Sequence, residues 1–148
     1  ADSARQYIAR QKTDFTESER GEIVDQVLAV LTDSRFAALF SLGSRAEVPI
    51  AGWLDDQPIN GVVDRLVVTA EEVFIADYKT NRSVPRSLAD IQKRYQSYIK
   101  QLAYYRVVLR RLYPDRPVRA ALVWTAVPEL VEIPTEALDA ALATLTTA

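Results

Sequence analysis

Cysteine is absent from all 148 residues. That excludes a disulfide framework, a zinc–thiolate site and an iron–sulfur cluster within this segment. Histidine is absent as well, so there is no Ser–His triad, no His general base and no His-ligated metal here. Methionine is also missing. A natural chain starts with one unless it has been removed, so the expectation is a piece of a longer polypeptide; a cleaved initiator is the other explanation. No apolar run approaches a membrane-spanning length and no signal peptide is visible. A soluble, cytoplasmic chain without membrane contact is the default expectation.

What is present describes a folded domain. Apolar residues make up 49% and charged residues 26%, a globular balance, and the length favours one domain with an ordinary core. The division expected within it is N-terminal helices over residues 1–44, packed on a core over 45–148. The net charge of −2 conceals a segregation. Residues 79–119 carry eleven Lys or Arg against Asp90 and Asp115, while the rest carries seven basic and eighteen acidic residues. A solvated helix face is the ordinary meaning of such a segment, and a path for a polyanion is the functional one.

The most informative stretch is Gly61 to Thr80. It reads as two strands joined by a short polar connection, with Asp64 in the first and Asp77 in the second. Alternation along a strand puts Asp77 and Lys79 on one face with Val73 and Ile75, and Phe74, Ala76 and Tyr78 on the other. An even-length turn centred between Ala70 and Glu71 pairs Val68 with Val73. Continued, that register sets Asp64 opposite Asp77, with β-carbons about 5 Å apart. Two carboxylates that close repel, so one takes up a proton or the pair recruits a cation. Oxygen donors suit magnesium or manganese, and a lysine beside them can meet a phosphate oxygen. A structural Asp–Lys ion pair in a half-exposed hairpin is the plainer reading of Asp-x-Lys alone; the second aspartate in register favours a site.

The remaining elements look like support. Residues 3–12 suit a short helix. Thr16 and Glu19 form a capping box ahead of Ile23, Val24, Val27, Leu28 and Leu31 at helical spacing. Ser34 is the expected cap of a further short helix holding Phe36, Leu39 and Phe40, ended by Gly43. Residues 47–54 read as a first strand, and Asp55 and Asp56 as exposed turn residues rather than ligands. Glu47, at the start of that strand, is either a third carboxylate for the site or an ordinary strand residue. After Lys79 comes a polar loop with Arg82 and Arg86. A capping box at Ser87–Asp90 then opens a long helix to Tyr113, carrying Lys93, Arg94 and Lys100. Its apolar stripe is Ile91, Tyr95, Tyr98, Leu102, Tyr105, Leu109 and Leu112. Its tyrosines read mainly as packing. Gln101 lies beside the stripe one turn before Tyr105, and a polar amide there needs partners. Residues 118–127 and 130–133 read as strands, and Pro134 opens a last helix with Leu138, Ala141 and Leu145. This order predicts an α/β domain with a mixed central sheet flanked by helices.

Three segments together, Gly61-Val62-Val63-Asp64, Ile75-Ala76-Asp77-Tyr78-Lys79-Thr80 and Gln101-Leu102-Ala103-Tyr104-Tyr105, resemble the core motifs of RecB-type nucleases of the PD-(D/E)xK superfamily. The similarity is close to the C-terminal nuclease domain of AddA-type helicase–nuclease subunits, over roughly residues 45–130. It implies a restriction-endonuclease-like core and magnesium- or manganese-dependent hydrolysis of DNA, of exonuclease type. It implies that Asp64, Asp77 and the main-chain carbonyl of Tyr78 are metal ligands, that Lys79 orients or activates the attacking water, and that Glu47 assists. Gln101 and Tyr105 would hold these groups and the DNA backbone. Arg82, Arg86, Lys93, Arg94 and Lys100 would line the path of a single strand. The implied partners are DNA, helicase domains upstream in the same chain and a second helicase–nuclease subunit, in double-strand-break repair. The sequence departs from the pattern in lacking the metal-binding histidine that many such domains carry before the first strand, and it has no iron–sulfur cysteines. The competing expectations are a non-catalytic module of this fold that grips DNA or a subunit, and a purely structural domain.

Overall fold

The computed structural model describes residues 2–10, 14–54, 56–81, 83–85 and 87–144. Arg82 and Arg86, expected on the strand path, lie outside the described residues, as do Asp55 of the expected turn and Leu145 of the last helix.

Five strands form one sheet in the order β1 to β5. They are β1 (Ser44–Leu54), β2 (Gln57–Val68), β3 (Val73–Lys79), β4 (Val118–Trp124) and β5 (Glu129–Ile133). Only β3 and β4 run parallel; the other neighbours are antiparallel. A parallel pair needs a crossover, and here it is made by α3 (Leu88–Arg94) and α4 (Gln96–Leu112). The sheet is mixed and flanked by helices, the restriction-endonuclease-like α/β arrangement that the sequence predicted.

Two cores divide the sheet. On one face, α4 packs Ile99, Leu102, Ala103, Val108 and Leu109 against Val73, Ile75, Ala120, Leu122 and Trp124, with α5 (Thr135–Ala143) alongside. On the other, α2 (Glu17–Thr32) and a 3-10 helix (Ser34–Phe40) press Val30, Phe36 and Leu39 onto Val67, Phe74, Ala76, Ala121 and Val123. Helix α1 (Asp2–Arg10) packs on α2. The Thr16–Glu19 capping box forms as expected: the Glu19 carboxylate accepts from the Thr16 backbone N–H at 2.7 Å, and the Thr16 hydroxyl accepts from the Glu19 N–H at 3.3 Å.

Several local expectations are corrected. The 3-10 helix is capped by Asp33, whose side chain accepts from the Arg35 N–H, rather than by Ser34. The long helix is two helices, broken at Tyr95 (φ −131°, ψ 35°). The break serves tertiary contacts: the Tyr95 ring stacks on Tyr98 at 5.2 Å and packs on Trp124, and its hydroxyl donates to the Ser83 carbonyl at 2.9 Å. At the other end of the stripe, Leu112 is 64% exposed, past the edge of the core.

At the β3 N-terminus, Arg119 on β4 bridges Glu72 and Glu132 at 2.8 and 2.6 Å. The Arg119 guanidinium lowers the pKa of Glu132 below its ordinary value of 4.5. A lowered carboxylate stabilises the fold above its unfolded pKa, and that contribution fades as pH falls through the lowered value. Glu132→Gln should therefore cost up to about 1 kcal/mol at pH 7. The gap between the two proteins, read by urea melts at several pH values, should close in acid, as pH falls through the lowered Glu132 pKa.

Candidate active site

The β2–β3 ladder pairs Arg65 with Ala76, Leu66 with Ile75, Val67 with Phe74 and Val68 with Val73. This is the register read from the turn; the ladder ends at Arg65–Ala76, and Asp64 meets β3 through its side chain. The alternation on β3 also holds: Val73 and Ile75 enter the α4 core, while Phe74, Ala76 and Tyr78 face the other helices. Asp77 and Lys79 therefore emerge on the α4 side of the sheet.

Asp77 is 4% exposed. Burial raises its pKa above the ordinary 3.8, the Lys79 ammonium pulls it back, and the Asp64 charge adds to the rise. Its Oδ2 is fully buried and meets the Lys79 ammonium as an ion pair, without a directed hydrogen bond. The Asp64 carboxylate reaches along the sheet, where its Oδ2 accepts the Tyr78 backbone N–H at 2.6 Å. One aspartate thus fixes the backbone between the other aspartate and the lysine.

Lys79 is held from the α4 side. Its ammonium donates to Gln101 Oε1 at 3.3 Å, and Gln101 Nε2 donates to the Tyr105 hydroxyl at 2.9 Å. Those are the partners that a glutamine beside a core stripe requires. The ammonium also lies 3.9 Å from the centre of the Tyr98 ring, a cation–π contact. Tyr98 was read as ordinary packing; its spacing of three residues before Gln101 was the signal that it shares the helix face. Arg65 was also missed. Its guanidinium lies over the Phe40 ring at 5.0 Å and its Nε donates to the Tyr78 hydroxyl at 3.3 Å.

Asp64 can turn toward β3 because β1 and β2 change face together. Ile59 and Val63 point into the α4 core, and so does Leu66, although strict alternation would exclude it. On β1, Val48 and Ile50 enter that core, while Ser44 bonds the Leu39 carbonyl on the far side. The slip falls at Asp64 and at Glu47, which the pairs Ala46–Arg65 and Val48–Val63 bracket. Glu47 takes φ 51°, the one left-handed non-glycine among the described residues, a strain of about 1–2 kcal/mol. Beyond the slip, the β1–β2 arm lies against α4, where Arg111 donates to the Trp53 carbonyl.

Glu47 therefore stands in register with Asp64, as a third carboxylate would. Its side chain is exposed, however, and no three acidic groups among the described residues gather closely enough to hold an ion. The donors brought together are Asp64, Asp77 and the backbone of Tyr78. Glu47→Gly should relieve the strain and raise stability by about 1 kcal/mol, whereas Glu47→Val should lower it by at least as much; thermal melts of the two variants check this.

The other predicted contacts divide. Arg94 is engaged within the chain, bonding Ser83 Oγ at 2.7 Å and Asp90 at 3.3 Å while lying over the Tyr95 ring. It ties the loop after β3 to α3. Lys93 is exposed and Lys100 is half-buried. No helix among the described residues is long and apolar enough to cross a membrane.

No curated protein matches the chain. Among solved structures, it is similar to the crystal structure of a "Putative exonuclease" from Eubacterium rectale, with a TM-score of 0.62 and 18% identity over 90% of this chain. The match covers 54% of that protein, so the chain spans about half its length. It also aligns with the structure of SSO0001 at a TM-score of 0.43 and 13% identity, covering 99% of this chain and 83% of that one. The first likeness shows a shared fold. The sequence itself matches the PD-(D/E)XK nuclease superfamily over residues 2–145. With two aspartates and a lysine at the β2–β3 hairpin in the order that family's name spells out, this chain belongs to the PD-(D/E)XK nuclease superfamily.

Proposed function

We propose that the chain is a magnesium- or manganese-dependent deoxyribonuclease domain of exonuclease type, acting on single-stranded DNA within a double-strand-break-repair helicase–nuclease. The observation that supports the reading is the Asp64 carboxylate bonded to the Tyr78 N–H, between Asp77 and Lys79, with Asp77 buried beside that second negative charge. Nucleases of this superfamily typically use divalent ions, and the residues present fit one. Asp77 is a carboxylate kept from water by the fold, with a neighbouring carboxylate that makes its charge less favourable still. A divalent ion relieves both costs. Asp64, Asp77 and the Tyr78 carbonyl would hold it. When bound, such an ion supplies positive charge for a phosphate and lowers the pKa of a water.

The protein's own groups account for orientation. Gln101, itself fixed by Tyr105, and the Tyr98 ring hold the Lys79 ammonium in one place, ready to meet a phosphoryl oxygen as negative charge grows on it. With a divalent ion bound, Asp77 would no longer depend on that ammonium alone. Lys93 and Lys100 would contact the strand's backbone, in sequence-independent and salt-sensitive fashion. Helicase domains of the same chain, a second subunit and a cytoplasmic setting belong to the same reading and rest on the AddA-type resemblance.

A second reading is favoured by one observation: the Asp77–Lys79 ion pair is already closed, and among the described residues no third acidic group stands by. A non-catalytic module of this fold would bind DNA with these residues and leave it intact. Single-strand cleavage with magnesium or manganese separates the two. Wild type should cut and Lys79→Ala should be slower by at least about a hundredfold. Equal background from both proteins, with DNA binding retained, would make the chain a binding module.

A further inference from the structure

The ammonium of Lys79 ends a series of side chains that leads away from the site. It lies 3.9 Å from the centre of the Tyr98 ring. The Tyr95 ring stacks on Tyr98, with 5.2 Å between centres and 8° between planes. The Arg94 guanidinium lies over the Tyr95 ring, 5.2 Å from its centre. Two cations and two rings thus connect β3 to α3. The series also closes through the sheet. Trp124 pairs with Lys79 in the β3–β4 ladder and packs on Tyr95, ring centres 6.2 Å apart.

Two features make this a built support. First, the outer ring is tied on several sides. Trp124 beside it is fully buried. The Tyr95 hydroxyl donates to the Ser83 carbonyl at 2.9 Å, and Arg94 donates to Ser83 Oγ at 2.7 Å. Second, a lysine has a flexible four-carbon stem and loses much freedom when it is fixed, yet the Lys79 side chain is only 12% exposed. Besides Asp77, two groups hold its ammonium, and each has another side chain behind it: Gln101 is backed by Tyr105, and Tyr98 by Tyr95.

We propose that Tyr95 and Arg94 are positioning residues for the Lys79 ammonium: they hold the Tyr98 ring where it fixes that charge, and through Ser83 they tie its placement to the loop after β3. The inference rests on the nuclease reading for the work the lysine does, and it adds a second line of support to that of Gln101 and Tyr105. A ring attracts a cation best when the cation sits over its face, so a ring that tilts or slides releases the ammonium. A parallel neighbour at stacking distance opposes both movements. After such a release Lys79 would still pair with Asp77, but from a wider set of positions. Misplacing a reacting charge by about 1 Å costs up to about a hundredfold in rate.

The test reads the lysine directly. The chain has four lysines, so protein made with isotope-labelled lysine gives four sets of side-chain signals by NMR, and Lys79→Ala identifies one of them. Neither metal nor DNA is needed. In wild type the Lys79 ε-methylene protons should lie upfield of an ordinary lysine's, in the shielding region of the Tyr98 ring. Tyr95→Leu should remove most of that offset, and Tyr95→Phe, which keeps the ring, should preserve it. Arg94, its side chain 43% exposed, tests the same point without disturbing the core; Arg94→Ala should reduce the offset. Melting curves establish that the variants fold. Single-strand cleavage with magnesium is scored separately. Tyr95→Leu should lower kcat about tenfold with KM unchanged, and Arg94→Ala about threefold. Neither should slow the Lys79→Ala protein further. A Lys79 signal unmoved by both variants, or equal losses of cleavage with and without Lys79, overturns the proposal. A signal that moves in a protein that cuts nothing upholds the positioning and overturns the nuclease reading; cutting with the signal unmoved does the reverse.

Discussion

Asp77→Asn is expected to give a folded protein that cuts DNA about a thousandfold more slowly than wild type, or not measurably. Asparagine keeps the shape of the side chain and removes its charge. The site loses the buried anion that a divalent ion would neutralise, and Lys79 loses its ionic partner. Stability should change little, because the fold is relieved of a carboxylate whose burial it resists while the lysine is left less well compensated. The two proteins should differ more when magnesium is added. At a hundredfold excess over its dissociation constant, a bound ion adds about 2.7 kcal/mol to the wild type, and the variant should gain far less. Melting curves with and without magnesium, alongside a cleavage time course, measure both effects. Equal cleavage by the two proteins would remove Asp77 from the chemistry.

Gly61→Ala should act on the same lysine from a distance. A β-carbon at Gly61 would stand 2.5 Å from Cε1 of Tyr105 and 2.8 Å from its hydroxyl oxygen. Tyr105 is buried and bound to Gln101, which in turn accepts from Lys79. The ring cannot yield without moving that chain of contacts. The expected cost is about 1–3 kcal/mol of stability, as for overpacked cores. Cleavage should fall by up to about a hundredfold, because a small displacement of a positioning group is enough. In a Tyr105→Leu background the same substitution should cost much less, since the obstructing ring is gone; two contacting residues are expected to couple in this way. Additive costs in the four-protein cycle would show that Gly61 is needed for some other reason.

The site was legible where local rules had nothing to oppose them. The turn after Val68 left few registers, so the pairing of β2 with β3 from Val68–Val73 to Arg65–Ala76 followed from counting residues. Gln101 was legible because an amide beside an apolar stripe must find partners, and it has two. The order of strands around one helical crossover gave the sheet. Tertiary forces hid the rest. Helical periodicity runs straight through Tyr95, yet its packing on Tyr98 and Trp124 outweighs one turn of helix. The backbone of Glu47 was not legible, since nothing in a glutamate announces a left-handed conformation. Arg65 drew no reading from the sequence, because its contact with Phe40 exists only once the 3-10 helix has folded over the sheet.

Strand β3 serves two compartments at once, chemistry on one side and the apolar core under α2 on the other. A single residue added to or removed from Val73–Lys79 would exchange them, sending Tyr78 among the charges and Lys79 into that core. Descendants of this chain can therefore change length at the tip of the β1–β2 arm, where Asp56 lies exposed, but hardly at all within these seven residues. Substitution, and not insertion, is the route by which such a hairpin diverges.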